Sequence, residues 1–196
     1  MQRIALFGTS ADPPTIGHQK ILEELSKIFS YTVSYASDNP QKKHKEDIST
    51  RSLLLRTLIE DLNNPKILFN QDISSQWAIE SIEKCKTIYN NTQINFVIGS
   101  DLITEIFSWK NFNKIIKEVS FYIIKREGYP IESNTLKIMK NYRINFEISS
   151  FNIPNSSSSM ARLNKNYSNL PKSIIDLVKK NNLYVPSKLS EWNFFL

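Results

Sequence analysis

The strongest constraint on this chain is the alternation, along its whole length, of short apolar runs with longer amphipathic segments. Apolar runs at residues 4–7, 31–36, 67–69, 94–98, 119–124 and 144–148 have the length of strands rather than helices. Between them, apolar residues recur at three- and four-residue spacing. Ile21, Leu22, Leu25, Ile28 and Phe29 share one face of a helix over 17–29, and Leu54, Leu55, Leu58, Ile59 and Leu62 one over 50–62. Further helices are predicted over 77–89, 102–107, 112–117, 136–142 and 171–181. Strands separated by helices imply an α/β fold: a Rossmann-like parallel sheet flanked by helices on both faces. A chain of 196 residues is long enough for one well-buried domain and short for two. The helix over 171–181 and the apolar tail to 196 are expected to pack on that domain. Ligands of such sheets bind beyond the carboxyl ends of the strands, near the switch in strand order. Chemistry is therefore expected in the loops beginning near Gly8, Ser37, Gly99, Arg126 and Ser149.

Composition removes several alternatives. The single cysteine, Cys85, excludes an internal disulfide, and with two histidines it leaves too few soft ligands for a structural zinc site. No apolar run approaches the roughly 18 residues of a membrane span, and the one at residues 4–7 is too short for a signal peptide. A cytoplasmic protein without a membrane partner is expected. The net charge of +6 is spread along the chain, Lys42-Lys43-His44-Lys45 being its densest run. Nucleic-acid binding calls for a basic stripe rich in Arg and interleaved with aromatics, which is absent. A cationic protein that handles phosphorylated small molecules fits better.

Glycine occurs only 4 times, at Gly8, Gly17, Gly99 and Gly128, and these positions mark where to look. Gly8 ends the first strand and begins the loop Thr9-Ser10-Ala11-Asp12-Pro13-Pro14-Thr15-Ile16. Gly17 and His18 then open a helix, whose unpaired N–H groups and positive dipole end favour an anion. There His18 can donate Nε2–H to a phosphate oxygen, and Thr15 adds a hydroxyl. Gly99 ends the strand over 94–98, with Asp101 beside it to accept from sugar hydroxyls and Trp109 to offer a flat face to a ring. The run Ser156-Ser157-Ser158-Ser159 precedes Met160-Ala161-Arg162. Hydroxyls at a helix start cap it, and Arg162 one turn further in can reach a phosphate with its fork of donors.

The first loop resembles the (H/T)xGH signature of the adenylyltransferase superfamily, and more closely the GGTFDPxHxGH loop of the nicotinate-nucleotide adenylyltransferases. Gly8, Asp12, Pro13, Gly17 and His18 match it; Thr9, Ser10 and Ala11 depart, and Thr15 replaces the first His. Four further segments match in order: Asn39 to Lys45 with Arg51 (PPHK and the Arg opening the next helix), Gln76 to Ile82 (SYTIDTL, with Ala78 for Thr), Phe96 to Asp101 with Trp109 and Arg126-Glu127-Gly128-Tyr129 (FIIGAD, LxxW and RPGY), and the serine run through Arg162 (ISSTxIR).

The resemblance implies a nucleotidyltransferase-type sheet and transfer of the adenylyl group of ATP to nicotinate mononucleotide. Nicotinamide mononucleotide and phosphopantetheine are the alternative acceptors, and a non-catalytic nucleotide- or RNA-binding domain the alternative class. It further implies Mg²⁺ bound with the ATP phosphates and no metal ligand from the protein. On this reading His18, Thr15 and Arg162 are catalytic. Gly8, Thr9, Ser10, Asp12, Gly17, Gly99, Ser157 and Ser158 join His18 and Arg162 around ATP. Lys45, Arg51, Trp77, Ala78, Asp101, Trp109, Lys110 and Arg126 bind the acceptor. Neither the preference for acid over amide nor the oligomeric state can be read from these residues.

Overall fold

The computed structural model describes residues 2–153, 158–164 and 167–185. Six strands form one parallel sheet: β1 (Gln2–Thr9), β2 (Tyr31–Ala36), β3 (Ile67–Phe69), β4 (Thr92–Gly99), β5 (Ser120–Arg126) and β6 (Phe146–Ile153). Their order across the sheet is β3-β2-β1-β4-β5-β6. The chain thus builds outward from β1 in one direction, then returns to lay β4 against its other side. That switch point puts the ends of β1 and β4 next to each other, leaving a crevice above them.

The helices are α1 (Ile16–Ile28), α2 (Ile48–Asp61), α3 (Ala78–Ile88), α4 (Phe112–Glu118), α5 (Ser133–Asn141), α6 (Ser158–Asn164) and α7 (Lys172–Lys180). Strand alternation sorts them onto two faces. Ala5, Phe7, Val97, Tyr122 and Ile124 point to one face and meet Leu22 and Leu25 of α1, Leu54 and Leu58 of α2, and Ile174 and Val178 of α7. Ile4, Leu6, Phe96, Ile98, Phe121 and Ile123 point to the other and meet Ile79 and Ile82 of α3, Ile115 of α4 and Met139 of α5. Both faces are covered, as an all-parallel sheet requires.

Three elements differ from the sequence expectation, one of them α5, which is expected over 136–142 and spans Ser133–Asn141. Residues 102–107 do not form one helix. Two short 3-10 turns, Ser100–Leu102 and Glu105–Ser108, stand on either side of Ile103 and Thr104 and lead to Trp109. The last strand starts two residues later than expected and runs on to Ile153. Arg143 takes up a left-handed turn (φ 55), and Ser149 bridges a register shift between Ile123 and Lys125. There its hydroxyl accepts from Lys125 N–H at 3.0 Å. β6 is an edge strand with a half-exposed face, so its apolar pattern is diluted by polar residues. No helix among the described residues is long and apolar enough to cross a membrane.

Gly8 shows how tightly the switch point is packed. It pairs with Tyr35 across β1 and β2, and a Cβ at residue 8 would sit 2.6 Å from Cζ of Tyr35. Tyr35 is itself 2% exposed and has little room to retreat. Gly8→Ala should therefore lower the unfolding free energy by about 1–3 kcal/mol through overpacking, measured as a lower urea midpoint at unchanged m-value.

Candidate active site

The crevice over the switch point divides into two cavities. The larger, about 420 Å³, is lined by the ends of β1 and β4, the start of α1 and the start of α6. The smaller, about 130 Å³, lies between the end of β4, the start of α3 and the segment around Trp109. Gly8, Ser37, Lys42, Val97, Ile98 and Leu102 line both and so mark where they meet.

His18 is the best-defined group of the larger cavity. Thr15 caps α1 from an extended conformation, and its backbone N–H donates to Nδ1 of His18 at 3.0 Å. Because Nδ1 accepts that bond, the ring proton must sit on Nε2. The Thr15 hydroxyl lies 2.8 Å from the same Nδ1 and donates to it. Burial, followed by the positive charges of Arg126 and Lys42, lowers the His18 pKa to about 4. The imidazole is therefore neutral at pH 7, with one committed acceptor and one free donor.

Asp12, 2% exposed, holds the surrounding loops. Its Oδ2 accepts from Lys45 N–H at 2.7 Å and its Oδ1 from Glu46 N–H at 3.3 Å. Arg162 pairs with Oδ2 at 3.5 Å, donates to the Asp12 carbonyl, and reaches Ser159 Oγ at 3.3 Å. Ser158 Oγ donates to the Pro13 carbonyl at 2.8 Å, tying the start of α6 to the same loop. Across the cavity Asp101 accepts from Arg126 at 2.7 Å, and its carboxylate folds back over Gly99. A Cβ at residue 99 would lie 2.2 Å from Asp101 Oδ1. That oxygen is buried without a hydrogen-bond partner.

The smaller cavity is aromatic. Trp109 packs edge-on against Phe96, with ring centroids 5.8 Å apart at 76°. Trp77 caps α3, and the Lys110 ammonium lies 4.8 Å from the centre of its ring. Ala78 opens α3, where the first N–H groups have no partner within the helix.

Gly8, Thr9, Ser10, Asp12, Thr15, Gly17, His18, Gly99, Ser158 and Arg162 all line the larger cavity, and Ser157 lies outside the described residues. Trp77, Ala78, Trp109 and Lys110 line the smaller one. Asp101 and Arg126, expected beside the acceptor, line the larger cavity instead. Lys45 and Arg51 line neither. Lys45 engages Asp12 through its backbone while its side chain is exposed. Arg51 is almost wholly buried, donating to the carbonyls of Ser10 (2.9 Å), Ser37 (2.8 Å) and Glu46 (3.1 Å). It holds the two loops together, its Nη2 lies 3.9 Å from Asp38 Oδ1, and its burial keeps it from a substrate phosphate.

Besides Ser37, the residues of that loop that line the cavity are Lys42, Lys43 and His44, none of them among the expected site residues. His44 lies 3.3 Å from Ser10 Oγ, and burial with the charge of Arg51 lowers its pKa. A composition-level signal was available: the chain has two histidines, and both line this cavity.

A parallel sheet carrying an anion-holding loop, a helix start and an arginine at its switch point defines a nucleotide-binding α/β protein of the nucleotidyltransferase type. The sequence matches the cytidylyltransferase-like family over residues 6–162, and the chain belongs to that family. It is 31% identical over 144 residues to a probable nicotinate-nucleotide adenylyltransferase of Synechocystis sp., covering 68% of this chain and 72% of that protein. A protein of the same description from Clostridium perfringens is 26% identical over 204 positions, covering 94% and 98%. The fold superposes on Plasmodium falciparum nicotinic acid mononucleotide adenylyltransferase complexed with NaAD with a TM-score of 0.76. The sequence identity is 25%, and the match covers 94% of this chain and 98% of that one.

Two predictions test this geometry. Arg51→Met leaves three part-buried carbonyls without donors and should cost about 3 kcal/mol of stability, measured by urea unfolding. The second concerns the His18 ring. Between pH 6.5 and about 4 the unfolded chain binds a proton at His18 that the folded chain refuses. Stability from this group is therefore full above pH 6.5 and falls as the pH drops toward 4, by up to about 3 kcal/mol. His18→Gln should flatten that part of the stability-against-pH curve relative to wild type.

Proposed function

We propose that this protein is a nicotinate-nucleotide adenylyltransferase, transferring the adenylyl group of ATP to nicotinate mononucleotide with release of pyrophosphate. One observation carries the reading. A cavity rich in anion-holding donors and a cavity walled by indoles meet at Gly8, Ser37 and Lys42. An acceptor with a flat ring at one end and a phosphate at the other would fill the smaller cavity and bring its phosphate to that junction. There the phosphate faces ATP in the larger one. The supporting relatives carry the same activity in their descriptions.

The reaction is an in-line displacement. An oxygen of the acceptor phosphate attacks the α-phosphorus of ATP, the bond to the β-phosphate oxygen breaks, and pyrophosphate leaves. No covalent link to the protein is needed, so positioning and charge stabilisation supply the catalysis. His18 donates Nε2–H to the α-phosphate as charge builds there, and Thr15 keeps that proton on the outer nitrogen. Arg162 and the serines at the start of α6 hold the departing phosphates. Lys42, at the junction, steadies the attacking phosphate in the role first expected of Lys45. Asp101, with its free oxygen, takes sugar hydroxyls.

Mg²⁺ is expected to arrive with ATP, neutralising its phosphate charge. The donor set fits: the cavity offers N–H and O–H groups, and the Asp12 carboxylate oxygens are already engaged. Among the described residues no three His, Cys, Asp or Glu side chains gather as a metal cage. The ion would then be held by phosphate oxygens and water. We read the chain as one cytoplasmic domain acting on small nucleotides rather than nucleic acid.

Mixing the protein with ATP, Mg²⁺ and nicotinate mononucleotide should release pyrophosphate, followed by a coupled phosphate assay. Absence of turnover with either pyridine mononucleotide would sink the assignment. His18→Ala should lower kcat by about 10²-fold, the usual cost of one transition-state donor.

A further inference from the structure

The geometry points to Lys110 as the residue that makes this site prefer an acidic pyridine ring over its amide. The inference rests on the acceptor proposed above and adds what tells the two forms of that acceptor apart.

Only two charged side chains line the smaller cavity, Lys42 and Lys110; no carboxylate does. They occupy different places. Lys42 lines both cavities and stands at their junction, where the acceptor phosphate must lie. Lys110 lines the smaller cavity alone, among the indoles of Trp77 and Trp109, and so belongs to the ring end. Its ammonium lies 4.8 Å from the centre of the Trp77 ring, which places the amine along one wall. The other partner of Lys110 is Glu80, at 3.3 Å. That pair is solvent-exposed, with 47% and 42% of the two side chains accessible. An exposed pair of this kind is weak, so the ammonium is free to turn toward a stronger acceptor.

A ring carboxylate in this cavity gains a charge-assisted hydrogen bond from Lys110. A ring carboxamide can accept from the same ammonium but, being neutral, forms no ion pair with it, so the attraction between opposite charges is missing. Ala78, at the open start of α3, supplies the same wall with backbone donors, but an amide oxygen can use those as well as a carboxylate can. The lysine charge is the feature that separates the two.

The test compares wild type, Lys110→Met and Lys110→Arg with nicotinate mononucleotide and nicotinamide mononucleotide. Binding is followed by quenching of tryptophan fluorescence, which needs no turnover, and kcat/KM is measured in parallel at saturating ATP. The ratio of acid to amide affinity should fall about tenfold in Lys110→Met, mainly through a weaker Kd and a higher KM for the acid, and return in Lys110→Arg. An unchanged ratio overturns the inference, as does an equal loss for both nucleotides, which marks a merely structural lysine. If binding discriminates as expected while pyrophosphate is never released, the specificity holds and the proposed reaction fails. If wild type turns over both nucleotides equally, the reaction stands and the inference fails.

Discussion

A carboxylate taken out of water must find partners, and Asp12 finds them in two other parts of the chain. Backbone N–H groups of Lys45 and Glu46 come from the loop after β2, and the Arg162 guanidinium comes from α6. These segments are far apart in sequence, and Ala11 and Ala161 bury apolar surface in the same cluster. The buried charge draws them together as well, because leaving it unpaired would cost several kcal/mol. Arg51 completes the lattice from below by binding carbonyls of the same two loops. The C-terminal segment joins in: Tyr184 N–H donates to Glu46 at 3.0 Å, and the buried phenol is pushed well above its usual pKa by its burial and by the charge of Asp12. Loop, lysine-rich segment, α6 and the turn after α7 thus form one unit above the sheet.

Charge is distributed over that unit with a clear division. Carboxylates near the larger cavity are satisfied internally, Asp12 by backbone and Arg162, and one oxygen of Asp101 by Arg126. Lys42 and Lys43 of the 37–46 loop line the cavity with no acid among their lining neighbours except Asp12 and Asp101. The result is a concave positive surface in a low-dielectric setting, which attracts polyphosphates and strengthens each hydrogen bond made to them. His18 stands apart by being neutral. Its contribution is direction, a single donor aimed from a fixed ring.

How much of this the sequence disclosed depends on whether a property is periodic or relational. Strands β2 and β3 fall where the apolar runs place them, and α1, α2 and α7 lie within two residues of their predicted bounds, because burial imposes a period that survives in the sequence. β6 was misplaced because an edge strand with a half-exposed face lacks that period. Positions fixed by backbone chemistry were also legible: Gly8, Gly17 and Gly99 all fall at the cavity. Side-chain direction in a loop was not. Lys42, Lys43, His44 and Lys45 are interchangeable as a string of basic residues, and only the pairing of Asp12 with the backbone of Lys45 and Glu46 decides which face inward. Arg51 misled for a related reason. A fork of five donors satisfies three backbone carbonyls as readily as a phosphate, and sequence does not show which is nearer.

The bond from Thr15 N–H to His18 Nδ1 has a consequence beyond capping α1. It makes the first turn of a helix and the proton inventory of the cavity the same event. Once α1 is wound, the ring has one tautomer only, so every folded copy meets its nucleotide already carrying hydrogen on the outward nitrogen. No population of wrongly protonated molecules has to be corrected at each encounter. A mutation that frays this helix end would be felt first as heterogeneity among otherwise folded molecules, with a fraction of them presenting an acceptor where a donor is required.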